Sequence, residues 1–109
     1  DLRDATTAIG PIINSRQRER VRGHIEDALA KGARLLTGGG WQGNRCEPTV
    51  LCGVDPSMRC HAEETFGPVV AIHAVDSFEQ ALEEYRAAAA LSPADLAITY
   101  DTANALSIR

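Results

Sequence analysis

The chain has 109 residues, enough for one domain and too few for two. Hydrophobic residues make up 44% and charged residues 24%, which excludes a disordered or fibrous chain. A net charge of -4 argues against a general nucleic-acid binder, and apolar runs such as Ala87 to Leu91 fall far short of the roughly 18 residues of a membrane span.

In chain order, Asn14-Ser15-Arg16-Gln17 predicts a helix start, with Asn14 as N-cap and Gln17 in the reciprocal capping position. Val21, Ile25, Ala28 and Leu29 recur at helical spacing, and Gly32 supplies the stop. Arg16, Arg18, Arg20 and Arg22 occupy the first turns. Alternate positions spread around a helix, so these read as a solvated face, with a phosphate-contacting patch as the other reading. They help make the charge uneven: residues 1–34 hold seven basic and five acidic side chains, residues 35–109 four and ten. His24, one position from the Ile25 stripe, is expected at the surface.

Ala33 to Thr37 predicts a short strand that runs into Gly38-Gly39-Gly40. No helical pattern opens after these glycines, so the loop is expected to connect elements and not to cradle a phosphate. Pro48 to Val54 predicts a second strand. Pro68 to Val75 predicts a third, whose nearly continuous apolar character suits coverage on both faces. His73 within it reads as a packed histidine. Ser77-Phe78-Glu79-Gln80 predicts another helix start, with Phe78, Ala81, Leu82 and Tyr85 along one face. Leu96 to Tyr100 predicts a fourth strand, while Ser92-Pro93-Ala94-Asp95 competes as a helix start. Alternating helices and strands of these lengths indicate one α/β domain over residues 1–109.

Three cysteines, Cys46, Cys52 and Cys60, form an odd set, and no basic start leads into an apolar stretch. Free thiols in a reducing, cytoplasmic setting are therefore expected. Their spacing lacks the close pairs of a structural zinc site, so no metal is expected. Cys60 and His61 are read as strand neighbours facing opposite ways, which leaves the thiols as bystanders. Neither H-E-x-x-H nor G-x-S-x-G occurs.

Glu63-Glu64-Thr65-Phe66-Gly67-Pro68, just ahead of the third strand, forms a constrained turn with acceptors. A carboxylate at the mouth of an α/β sheet can accept hydrogen bonds from vicinal sugar hydroxyls, and Phe66 offers a flat apolar surface to a ligand ring. The other reading has solvated carboxylates and Phe66 in the core.

Taken together, Ile9-Gly10-Pro11-Ile12-Ile13-Asn14 with Gln17 and Arg20-Val21, then Leu35-Leu36-Thr37-Gly38-Gly39, Glu47-Pro48-Thr49-Val50-Leu51, and Met58 through Val70 resemble the aldehyde dehydrogenase superfamily. Glu64-Thr65-Phe66-Gly67-Pro68 is similar to its E-x-F-G-P signature, and Phe78-Glu79-Gln80-Ala81-Leu82 continues the match to about residue 84. Residues 85–95 depart from the family pattern, being longer, alanine-rich and without the usual glycine.

The resemblance implies part of a three-layer α/β catalytic domain. It also implies a role in oxidising aldehydes to acids with NAD or NADP, through a cysteine nucleophile and a glutamate base. By analogy Glu64 accepts hydrogen bonds from the nicotinamide-ribose hydroxyls and Phe66 packs beside the nicotinamide. The family's nucleophile and base lie ahead of the matched stretch, and neither Cys46, Cys52 nor Cys60 corresponds to the nucleophile. No catalytic residue is therefore assigned. The chain is expected to be an inactive fragment of such an enzyme, binding no cofactor tightly and self-associating or docking to missing domains. A stand-alone α/β binding or assembly module is the alternative.

Overall fold

A computed structural model describes residues 3–91. These residues fall into two compact units, one ending at Ala74 and the other beginning at Val75.

The first unit opens with α1 (Ser15–Ala30). Asn14 is extended, and its Oδ1 accepts the Gln17 N–H at 2.8 Å, satisfying a donor that the first turn leaves free. Val21, His24, Ile25 and Ala28 are its buried residues, a stripe at helical spacing. At the far end Ala33 N donates to Ala28 O at 2.9 Å and Gly32 N to Leu29 O at 3.2 Å. This paired closure needs a left-handed residue, and Gly32 supplies it at φ 101°.

Next come β1 (Arg34–Thr37), β2 (Trp41–Gln42), β3 (Arg45–Cys46) and β4 (Thr49–Cys52), then the single turn α2 (Arg59–Ala62) and β5 (Val69–Ile72). The main sheet has the order β1-β4-β5. β1 runs antiparallel to β4, pairing Arg34 with Cys52 and Leu35 with Leu51, with an irregularity before Thr37 pairs with Val50. β4 and β5 are parallel from Thr49 opposite Val69 to Cys52 opposite Ile72. A parallel pair needs a crossover, and the Gly53–Pro68 connection containing α2 provides it. β2 and β3 form a separate hairpin within the stretch expected to be a connecting loop.

Strand side chains alternate faces, and β4 puts Thr49 and Leu51 inward, at 1% and 0% exposure. The core joins Leu51 to Val21, Ile25 and Ala28 of α1, with Val54 and Met58 closing it. β5 is shorter than the expected Pro68–Val75, and two-sided coverage does not hold: Val70 is 58% and Ile72 41% exposed. An apolar run tells only that a strand can be covered, whereas here Val69 alone of β5 packs against the core.

The glycine-rich loop connects elements, as expected. The Gly39 N–H donates to Thr49 Oγ1 at 2.9 Å and the Gly40 N–H to Glu47 Oε2 at 3.1 Å, so the chain's own acceptors occupy these donors. Cys60 and His61 lie in α2, so the strand argument applied to them does not hold. In the second unit, α3 (Phe78–Leu91) starts as predicted, with Gln80 N donating to Ser77 Oγ at 3.1 Å. The helix continues through residues 85–91 of the divergent segment. The strand expected at Leu96 to Tyr100 and the helix start at Ser92 lie outside the described residues.

Candidate functional site

The turn at residues 63–68 joins α2 to β5 and is fastened to one stripe of α1. Gln17, Arg20, Val21 and His24 are spaced at i, i+3, i+4 and i+7, so they share a helix face. Gln17 Nε2 donates to Thr65 O at 2.6 Å and to Phe66 O at 2.8 Å. Arg20 Nε donates to Glu64 O at 3.0 Å. Val21 packs so closely on Gly67 that a Cβ there would lie 2.6 Å from Val21 Cγ2. His24 places Nδ1 2.9 Å from Thr65 Oγ1 and Nε2 3.2 Å from Glu63 Oε2. On the other side, Thr49 N donates to Pro68 O at 2.8 Å, tying the end of the turn to the central strand.

These contacts correct three expectations. Gln17 does not reach back to the cap; its amide spans to the turn. His24 is fully buried, because it stands three residues after Val21 and four before Ala28, within the apolar stripe. Arg16 is exposed as expected, but the other three arginines are not merely solvated. Arg18 bonds Asn44 Oδ1 and Glu19, Arg20 bonds the turn, and the Arg22 guanidinium lies 5.0 Å from the Trp41 ring centroid.

The two adjacent glutamates have opposite environments. Glu63 Oε1 meets Arg59 Nε at 3.1 Å, and its Oε2 meets His24 and, at 3.6 Å, Arg20. The Arg59 hydrogen bond, followed by that of His24, holds the Glu63 carboxyl below the usual carboxylate range. Glu64 is exposed, and among the described residues nothing bonds its carboxylate. Phe66 is 75% exposed, so its core reading does not hold. It is also the one non-glycine residue with positive φ among those described, at 48°. A left-handed residue with a Cβ costs roughly 1–2 kcal/mol, here supported by the Gln17 bonds to both of its flanking peptides.

A polar cleft of about 450 Å³ adjoins the start of α1, lined by Ile13, Asn14, Arg16, Gln17, Arg20 and Arg59. Chemically, the site offers carboxylate acceptors, a bare aromatic face and a cationic flank. It offers no nucleophile. Cys46 is buried with Sγ 3.4 Å from Glu47 O, and burial pushes both the Cys46 and Cys60 thiols up. No histidine nitrogen is bonded to a thiol, and no group of three metal-ligating side chains occurs, among the described residues. His73 is packed as expected, with Nδ1 2.6 Å from Val54 O.

Residues 1–99 match the aldehyde dehydrogenase family. The chain belongs to that family. It is 46% identical over 79 residues to mitochondrial succinate-semialdehyde dehydrogenase of Rattus norvegicus, covering 70% of this chain and 15% of that protein. NADP-dependent glyceraldehyde-3-phosphate dehydrogenase from Bacillus halodurans C-125, solved in complex with NADP, superposes with a TM-score of 0.67 at 41% identity over 69% of this chain and 16% of that one. A Mycobacterium tuberculosis aldehyde dehydrogenase complexed with NAD+ gives 0.65 at 43% identity over 70% and 17%. The fold is thus α/β and corresponds to part of an aldehyde dehydrogenase. The chain spans about 16% of the length of the curated relatives it matches.

Proposed function

We propose that the chain serves within an NAD(P)-dependent aldehyde dehydrogenase that oxidises an aldehyde to a carboxylic acid, and that its own part is to hold the nicotinamide end of the cofactor. Glu64 accepts hydrogen bonds from the nicotinamide-ribose hydroxyls, and Phe66 packs beside the nicotinamide. One observation carries this reading: of two adjacent carboxylates, Glu63 is engaged by Arg59 and His24, while among the described residues nothing pairs with the Glu64 carboxylate, which lies next to an exposed aromatic on a constrained backbone. Those residues fit a ribose bearing two vicinal hydroxyls, because an ionised carboxylate has acceptor sites for both. A bound NAD(P) supplies the hydride acceptor. Phe66 covers one side of the bound ring and keeps water from it, and Glu64 fixes the attached sugar, so the chain contributes orientation and exclusion of solvent.

The isolated chain is proposed to be inactive, since none of its described thiols is bonded to an activating base and burial pushes the Cys46 and Cys60 thiols up. Its hold on the cofactor is weak, as contact is limited to one sugar and one ring. The exposed Val70 and Ile72 support docking or self-association, and the three free thiols support a reducing, cytoplasmic setting.

Saturation-transfer NMR of the chain with millimolar NAD+ tests the reading. Enhancement at the nicotinamide-ribose protons is expected, lost in Glu64→Gln. Equal enhancement in Glu64→Gln overturns it. An NADH-production assay with a range of aldehydes should show no turnover, and turnover would contradict the proposed inactivity.

A further inference from the structure

We infer that His24 is the positioning residue that aims Glu64: it grips the side chains on both sides of Glu64 and thereby turns the intervening carboxylate outward. The inference rests on the reading of Glu64 above.

His24 is fully buried, and a buried imidazole is costly unless both nitrogens are satisfied. Both partners here are side chains of the turn, Thr65 through Nδ1 and Glu63 through Nε2. The Glu63 carboxylate is engaged by Arg59 and accepts only, so Nε2 carries the proton and donates to it. With the proton on Nε2 alone, Nδ1 is left to accept from the Thr65 hydroxyl. Glu63 is extended, at φ -120° and ψ 145°, where successive side chains leave on opposite sides. Residues 63 and 65 are both drawn to α1 and residue 64 between them is exposed, as expected of a carboxylate turned away from the helix.

The other helix contacts do not accomplish this. Gln17 holds the Thr65 and Phe66 carbonyls, and the close Arg20 bond goes to the Glu64 carbonyl; these fix the path of the main chain. Arg20 also approaches Glu63, but at 3.6 Å, and it does not reach the Thr65 side chain. Among the described residues His24 alone bonds both flanking side chains. His24 does not touch the proposed ligand, so it acts only through its neighbours.

The test uses the full chain, 15N-labelled, with NAD+ as ligand. Nitrogen shifts of His24 should report a protonated Nε2 and a bare Nδ1. Thr65→Val removes the Nδ1 partner with little change of shape, and His24→Ala removes the grip altogether. Each is expected to weaken saturation transfer to the nicotinamide-ribose protons by about threefold to tenfold, the scale of one lost hydrogen bond. Amide shifts of β4 should not change. His24→Gln, which can still donate to Glu63, should restore part of the signal.

Thr65→Val tests the inference even if His24→Ala does not fold. Parental ribose enhancement in Thr65→Val, with loss in Glu64→Gln, overturns the role of His24 and leaves that of Glu64 standing. Parental enhancement in Glu64→Gln, or no ribose enhancement in the parent chain, overturns both.

Discussion

A methyl group on Gly67 would lie 2.6 Å from Val21 Cγ2, and Val21 is wholly buried. A β-branched side chain in a helix has essentially one χ1 rotamer, so Val21 cannot swing aside. Gly67→Ala is therefore expected to destabilise the chain by about 1–3 kcal/mol, the usual cost of overpacking. In denaturant titrations the double variant Val21→Ala/Gly67→Ala should lose less than the sum of the single losses, because the second truncation vacates the contested space. Strict additivity would remove this contact as the cause.

Thr49→Val should be costly despite the similar shape. The Thr49 hydroxyl, 1% exposed as a residue, accepts from Gly39 N at 2.9 Å and donates to Glu47 O at 2.7 Å. Valine strands a backbone donor and an acceptor, for a loss of about 1–3 kcal/mol in chemical denaturation. A loss near zero would mean that the glycine loop finds other partners.

Acid should weaken the first unit through its paired carboxylates. Glu63 is lowered chiefly by Arg59, and Asp27 chiefly by Lys31 and then by the Arg59 N–H. A carboxyl whose folded pKa is depressed binds its proton more readily in the unfolded chain. Its stabilisation is thus complete above the unfolded value, about 4.3 for Glu, and is lost as pH falls through the lower folded value. Thermal midpoints should hold from neutrality to about pH 5 on this account and fall below it. Glu63→Gln should flatten the acid limb, and added salt should shrink the difference because these pairs are solvent-exposed. An unchanged acid limb in Glu63→Gln would exclude the Glu63 cluster.

Thiol reactivity should follow burial. Cys46 is 6% exposed, and burial pushes its thiol and that of Cys60 up. Iodoacetamide at pH 7.5, followed by peptide mass spectrometry, should label both more slowly than the unfolded chain, with Cys46 last. Rapid labelling of Cys46 would instead mark an activated thiol and contradict its bystander role.

Much of this was legible locally. The Asn14 cap, the Gly32 stop and the Ser77 start each depend on residues within one turn, and all three stand. β4 was legible as part of the stretch Pro48 to Val54, but that Thr49 and Leu51 face inward shows only in the structure. The His24 burial has a signal in the sequence, since its spacing from Val21 and Ala28 places it in the buried stripe beside Ile25. The β2–β3 hairpin was missed because each strand has two residues, too few for any periodicity.

The sequence by itself determined the two longer helices, the three strands of the main sheet, the family and the turn in which the site lies, because caps, apolar runs and the E-x-F-G-P string are written in neighbouring residues. Only the tertiary structure decided what engages Glu63, how Phe66 is presented and which side chains of the turn His24 meets. The E-x-F-G-P spacing already singles out Glu64, and the Arg59–Glu63 pair is local, four residues apart. The other contacts reach across 39 to 49 residues, from His24 to Glu63 and from Gln17 to Phe66, and exist only once α1 has packed beside the turn.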